Sequence, residues 1–263
     1  MLPVQSKGSC DTRGQDCGIA KVRNNPQTFF DDRIICGAVR SRAVQGSVIM
    51  IKNVVLDIGG VLVDYHTLDY YTARGYDLEK AQELKKATMD SHLWEHNDIG
   101  LMPYEWILNK MKAGAPSLAD DIEKTLRLQN GVVTRRRESK DWIRAIREKG
   151  YRVLVLSNFS EMALRDCPDA LDFLGENLGG TGSVGDSGVI TEGILSCKVH
   201  TIKPYPAIYA HLLTRYGLIP EETVFVDDTQ KNLTGAEAYG IRTVLFHSRE
   251  QVLEEINKLD ERS

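Results

Sequence analysis

From Val48 to Leu56 the chain is a nearly continuous run of mostly β-branched apolar residues, and it stops abruptly at Asp57-Ile58-Gly59-Gly60. A run that is apolar at successive positions, not alternate ones, suits a parallel strand covered on both faces, with a turn at its carboxyl end. The same grammar returns twice, where Arg152–Leu156 leads into Ser157-Asn158 and Thr223–Val226 leads into Asp227-Asp228. Helical periods alternate with these strands. Ser139–Lys149 places Trp142, Ile143 and Ile146 on one face and stops at Gly150, Ala207–Tyr216 stops at Gly217, and Lys231–Tyr239 stops at Gly240. A strand at Thr243–Phe246 and an amphipathic helix near Gln251–Leu259 complete the pattern. Strict alternation predicts an α/β fold, a doubly wound (Rossmann-like) parallel sheet.

Between the first strand and Ser139 no further buried strand is signalled. Leu78–Met89, Pro103–Lys112 and Leu118–Leu128 instead carry apolar residues at three- and four-residue intervals, so a helical cap over 66–138 is expected, inserted into a core formed by 48–65 and 139–263. Residues 1–47 are polar and hold no apolar period, which reads as a disordered extension or a start assigned too early, since Met50 directly precedes the first strand. Gly175–Gly193 is rich in glycine and poor in large apolar side chains, the composition of a mobile surface loop. Within it, Gly180-Thr181-Gly182-Ser183-Val184-Gly185 matches a dinucleotide-binding spacing, but that spacing works only between a buried strand and a helix, and Asp186-Ser187-Gly188 does not start one.

Hydrophobic residues make up 42% and charged residues 27% of the 263, the balance of a packed globular chain. A net charge of −4 gives no general attraction to nucleic-acid phosphates or an anionic membrane, so any phosphate site must be local. The apolar runs are too short to span a bilayer and no secretory signal pattern is present, so a cytoplasmic protein is expected. Cys10, Cys17, Cys36, Cys167 and Cys197 are odd in number and scattered, which suits free thiols better than a disulfide frame or a zinc site. The six histidines show no metal-ligand spacing.

In an open α/β sheet the ligand site lies beyond the carboxyl ends of the strands, so Asp57, Ser157, Asn158, Asp227 and Asp228 should share one crevice. Three carboxylates so close repel one another unless a cation lies between them, and a hard, oxygen-lined site suits Mg²⁺. The plainer alternative is that each acid caps the helix that follows it, but three acids at successive strand ends make that reading the weaker one. Lys203, just before Pro204 and the Ala207 helix, could neutralise phosphate charge beside the metal.

With these segments in place, the chain from about Met50 onward resembles the haloacid dehalogenase superfamily. Its four motifs occur in order as Val54-Val55-Leu56-Asp57-Ile58-Gly59-Gly60-Val61-Leu62, Val153-Leu154-Val155-Leu156-Ser157-Asn158, Lys203-Pro204, and Val224-Phe225-Val226-Asp227-Asp228 with Asn232 just beyond. A cap between the first and second motifs is similar to the members with a small helical cap. The resemblance implies that Asp57 attacks phosphorus in line and that Ser157 and Lys203 hold phosphate oxygens. It also implies that Asp57, the main-chain carbonyl of Gly59, Asp227 and Asp228 hold Mg²⁺, directly or through water. The expected activity is a phosphatase acting on a small phosphorylated metabolite, such as a sugar phosphate, through an aspartyl-phosphate intermediate. The protein is expected to act as a monomer or homodimer.

One position departs from the pattern. Most phosphatases of the superfamily carry a second Asp two residues after the nucleophile, which protonates the leaving oxygen, whereas here that position is Gly59. Some sugar-phosphate phosphatases are similar in having Gly there. General acid catalysis supplies ~10²–10⁴-fold, so its loss should favour leaving groups that depart easily, such as anomeric, acyl or aryl oxygens. Asp64, near the end of the first strand, is a candidate replacement, and a turn cap at the hinge is an equally good reading of it. In the cap, Leu93-Trp94-Glu95-His96 followed by Gly100 resembles a stretch that faces the active site in related enzymes, making Trp94 and Glu95 candidate substrate contacts. Two other readings are a catalytically weak Mg²⁺- and phosphate-binding regulator, motivated by Gly59, and a metal-independent dehalogenase, which Asp227-Asp228 disfavours.

Overall fold

The computed structural model describes residues 50–127, 131–183 and 185–261. The reading of residues 1–47 falls outside them. The strands are Asn53–Leu56 (β1), Val63–Tyr65 (β2), Val133–Arg135 (β3), Arg152–Ser157 (β4), Gly193–Leu195 (β5), Thr223–Asp227 (β6) and Arg242–Leu245 (β7). The helices are Thr67–Thr72 (α1), Leu78–Ala87 (α2), His92–Ile99 (α3), Tyr104–Gly114 (α4), Ala119–Leu126 (α5), Ser139–Glu148 (α6), Glu161–Asp166 (α7), Ser196–Val199 (α8), Pro206–Tyr216 (α9), Gln230–Glu237 (α10) and Arg249–Glu261 (α11).

Five strands form one sheet in the order β5-β4-β1-β6-β7, and each neighbouring pair is parallel. Its two faces explain why the strand sequences are continuously apolar. Val55, Leu154 and Phe225 point into one cluster with Ile208, Tyr209 and Leu212 of α9 and Leu233 of α10. Val54, Val153, Val155 and Val224 point the other way, onto Trp142, Ile143 and Ile146 of α6 and Val252 and Ile256 of α11. Each fully buried aliphatic side chain contributes roughly 1.5–3 kcal/mol of transfer free energy, which is why alternate residues on both faces must be apolar. The result is the doubly wound α/β architecture, with β1 at its centre.

Two elements depart from the sequence reading. The segment from α1 to α5 is helical as its period implies, but it is bracketed by an antiparallel pair, β2 with β3. Each of these strands is only three residues long and carries one buried residue, Val63 or Val133, too little to register as a period. The glycine-rich segment read as a mobile loop is tied down, with Leu178, Val189 and Ile190 buried and Gly175 N–H donating to the Ile190 carbonyl at 2.9 Å. Asp186 within it is bridged to Lys140 at 2.7 Å and to Arg144 at 2.9 Å, both on α6. The segment ends in β5, an edge strand of three buried residues. Its glycine-spaced stretch lies between no strand and helix, as expected of an accidental match.

Cys167 and Cys197 are buried. Among the described residues, no helix is long and apolar enough to cross a membrane.

Candidate active site

Parallel pairing in register brings the carboxyl ends of β1, β4 and β6 side by side, because Leu56 pairs with both Val155 and Val226. Asp57 follows β1, Ser157 closes β4 and Asp227 closes β6, so the polar residues converge where the apolar runs stop. Asp57, Asp227 and Asp228 each place an oxygen within 4.8 Å of the others, and they form the one such acidic cluster among the described residues.

Lys203 lies at the centre of this cluster, with its ammonium 2.9 Å from Asp57 Oδ1 and 2.6 Å from Asp227 Oδ2 and donating to the Leu156 carbonyl at 3.1 Å. Asn158 fixes its main chain from both sides, its Oδ1 accepting from Lys203 N–H at 2.7 Å and its Nδ2 donating to the Lys203 carbonyl at 3.1 Å. Burial works against the Lys203 charge, but Asp57 and Asp227 outweigh it and hold the ammonium above its ordinary value. Burial pushes Asp57 up to about 7, Lys203 opposes that shift, and Asp227 adds to it. The Ser157 hydroxyl favours the ionised form of Asp57.

The two acids of the pair differ. Asp227 is fully buried, and besides Lys203 it accepts from Thr229 N–H at 2.8 Å and from Asn232 Nδ2 at 3.1 Å. Asp228 is exposed and, among the described residues, accepts only from Thr229 Oγ1, at 3.2 Å. Gly60 must lack a side chain beside it, because a Cβ there would lie 1.9 Å from Asp228 Oδ2 on a backbone with φ of +69°.

Gly59 adjoins Tyr65, whose ring carbon Cε2 would lie 3.0 Å from a Cβ at that position. The ring therefore stands where a side chain at 59 would begin. Tyr65 also lines a cavity of about 220 Å³ with Trp94, Asp98, Asn158, Phe159 and Ser160. Trp94 thus reaches the crevice, whereas Glu95 is exposed on the neighbouring face of α3. Asp64 does not reach it. Its carboxylate pairs with Arg136 at 2.7 Å and lines a separate groove with Phe246 and Arg249, which corrects its candidacy as proton donor.

Sequence patterning does not single out Tyr65 or Asp98. Asp98 had a usable signal, because it follows Trp94 by four residues and so shares its helix face. Burial first, then Glu95, pushes the Asp98 carboxyl up to about 7, with Lys203 acting in the opposite direction.

A family model for haloacid dehalogenase-like hydrolases matches residues 51–240, a span that contains the whole cluster. This chain is a haloacid dehalogenase-like hydrolase. Over 210 residues the hydrolase is 27% identical to the D-ribitol-5-phosphate phosphatase of Bacteroides thetaiotaomicron, covering 74% of this chain and 91% of that protein. A 66-residue stretch is 42% identical to the mouse (Mus musculus) bifunctional epoxide hydrolase 2, and it covers 25% of this chain and only 12% of that much longer protein. Two solved structures share its fold. The haloacid dehalogenase family enzyme BT-2542 of Bacteroides thetaiotaomicron, in complex with magnesium and inorganic phosphate, aligns with a TM-score of 0.53 at 21% identity over 75% of this chain and 94% of its own. The L-2-haloacid dehalogenase RSc1362 aligns at 0.56 with 17% identity over 79% and 99%.

Proposed function

We propose that this hydrolase is a Mg²⁺-dependent phosphatase that cleaves the monoester of a small phosphorylated metabolite, a sugar or sugar-alcohol phosphate being the class its curated phosphatase relative suggests. The observation that carries the reading is the charge count at the strand ends, three carboxylates within 4.8 Å of one another and one ammonium among them. A dehalogenase needs a carboxylate nucleophile but no metal, and the Asp227-Asp228 pair beside the nucleophile argues against that reading.

Hard carboxylate oxygens at this spacing fit a small divalent cation, and Asp57, Asp228, the Gly59 carbonyl and Asp227 would hold it. Bound there, Mg²⁺ offsets the repulsion between an anionic nucleophile and an anionic ester. Asp57 attacks phosphorus to form an aspartyl phosphate, which water then hydrolyses. Lys203 and Ser157 hold the phosphate oxygens. Asp227 serves chiefly to anchor Lys203, since its oxygens already accept from Lys203, Thr229 and Asn232. Asn158 sets the Lys203 main chain. The helical segment 66–138 acts as a cap, and Trp94 on α3 contacts the leaving group in the cavity.

The test is phosphate release from a panel of phosphorylated metabolites, with Mg²⁺ and with a chelator, alongside chloride release from 2-chloro acids. We expect Mg²⁺-dependent phosphate release that falls to the blank rate in Asp57→Asn. Chloride release that survives the chelator would instead establish a dehalogenase.

A further inference from the structure

Gly59 leaves the proposed reaction without a proton for the leaving oxygen, and the Tyr65 ring fills the start of the space a side chain there would use. A replacement must reach the same crevice from elsewhere, carry no internal hydrogen bond, and be held firmly. Asp98 meets all three requirements. It lines the cavity beside Tyr65 and Asn158, and its carboxyl has no hydrogen bond or ion pair among the described residues. Its backbone is clamped to the core at the end of α3. The Ser196 hydroxyl donates to the Asp98 carbonyl at 2.6 Å, His200 Nδ1 bonds to the Ile99 carbonyl at 3.0 Å, and Gly100 packs so closely on α8 that a Cβ would lie 3.0 Å from the Cys197 carbonyl. Ser196 is itself fixed, accepting from Phe159 N–H at 2.9 Å. Asp98 therefore belongs mechanically to the core although it sits on a helix of the inserted segment.

We propose that Asp98 is the general acid and base of this hydrolase, acting from α3 in place of the carboxyl absent at Gly59. The inference rests on the phosphatase reading. As an Asp57 oxygen bonds to phosphorus, the ester P–O bond breaks, its electron pair goes to the leaving oxygen, and the Asp98 carboxyl gives that oxygen its proton. The Asp98 carboxylate then takes a proton from the water that attacks the aspartyl phosphate. Alcohol and inorganic phosphate leave, and both side chains return to their starting states.

The groups that face Asp98 support this assignment. Glu95 on its own helix and Asp57 from the core favour the protonated carboxyl, and Lys203 disfavours it. Across the cavity stand Lys85 and Asp90, and Cys197 lies behind on α8. The balance keeps the carboxyl protonated up to about pH 7, near the working range that favours an acid that must also act as a base. Of the other proton-bearing groups in the cavity, the Lys85 ammonium is paired with Asp90, and the Tyr65 phenol lies against Gly59. Burial, Asp98 and Asp57 all raise its pKa, which makes it a poor donor.

The test compares Asp98→Asn, Asp98→Glu and Tyr65→Phe with the wild type, using ribitol 5-phosphate and glycerol 3-phosphate as alkyl esters and 4-nitrophenyl phosphate as an ester whose leaving group needs no proton. Asp98→Asn should lower kcat on the alkyl esters by ~10²-fold or more, the scale of general acid catalysis, and should lower aryl kcat by less than about tenfold. KM should change little, Asp98→Glu should recover part of the alkyl rate, and Tyr65→Phe should keep it. The alkaline fall of wild-type alkyl kcat should be absent in Asp98→Asn. Equal losses on alkyl and aryl esters, or no loss on alkyl esters, overturn the proposal and leave the phosphatase reading intact. A wild type that releases no phosphate from any ester overturns both. Should Asp98→Asn not fold, Asp98→Glu and Asp98→Ser carry the same comparison.

Discussion

Two of the clusters in which acids and bases meet are built on opposite plans. At the strand ends Asp57 and Asp227 share one buried lysine, and Asp228 stands beside them without a cation partner among the described residues. In the tied-down segment Asp186 has two cations, Lys140 and Arg144, and just before the segment Asp172 is bridged to Arg135 at 2.8 Å. In the first cluster burial wins and Asp57 is pushed up to about 7. In the second the hydrogen bond from Lys140, then the Gly188 N–H and Arg144, hold Asp186 well below the ordinary carboxylate range. A cluster whose charges are matched is a staple. One whose acids outnumber its bases retains unbalanced negative charge, and that excess is what a cation and a phosphoryl group can use.

The largest effect should come from removing the one base of the buried cluster. Lys203→Met leaves Asp57 and Asp227 facing each other in a dry site, and breaking a buried pair on one side costs about 3–5 kcal/mol. Chemical denaturation should show that loss at pH 8. It should shrink at pH 5, where Asp57, raised further without its lysine, takes up a proton on folding. A variant as stable as the wild type at pH 8 would mean that the cluster is better hydrated than its burial implies.

A smaller and opposite change should follow from Asp98→Asn, read as stability instead of rate. Because the folded-state value lies near 7 and the ordinary value is 3.8, the folded protein binds more protons than the unfolded chain between those limits. The Asp98 contribution to stability therefore falls as pH rises from about 4 to 7 and then levels off, and the asparagine variant lacks this component. The melting temperature of the variant should equal that of the wild type near pH 4 and exceed it at pH 8. A variant that melts lower at pH 8 would show that the carboxylate has a stabilising partner in solution.

These contrasts also bear on what the sequence could disclose. The sheet was legible because its strands are covered on both faces, so Val54-Val55-Leu56 and Val153–Leu156 are apolar without interruption, and their polar endings mark the crevice. Asp57, Ser157, Asp227 and Asp228 could be placed for that reason, and Lys203 by its position before Pro204 between the second and third of these endings. The strands β2, β3 and β5 were not legible, since three residues with little or no alternation carry no period. Asp98 escaped notice because its neighbours in space, Tyr65, Asn158 and Lys203, come from distant parts of the chain. The clamp of α3 on α8 is made by main-chain carbonyls, which no side-chain pattern records. Asp64 attracted notice for the opposite reason, being close to Asp57 in sequence while its side chain pairs with Arg136 away from the crevice.

The smallest effect is expected at the matched cluster, where Asp186→Asn removes a carboxylate whose side chain is 26% exposed. Partly exposed pairs of this kind are worth ~1 kcal/mol or less after solvent screening, so the variant should lose about that much at pH 7 and in low salt, and less in high salt. The sign of the pH dependence is fixed by the depressed value. The stabilisation is fully present above the ordinary carboxylate pKa of 3.8 and is lost as pH falls below it, so the two proteins should converge in stability on acidification below about pH 4. Phosphate release should stay within about twofold of the wild type, because a staple that holds the 175–193 segment to α6 leaves the strand ends unchanged. An activity loss approaching that of Asp57→Asn would show that the two clusters are coupled through β5 and β4, and that charge balance alone does not separate a structural cluster from a catalytic one.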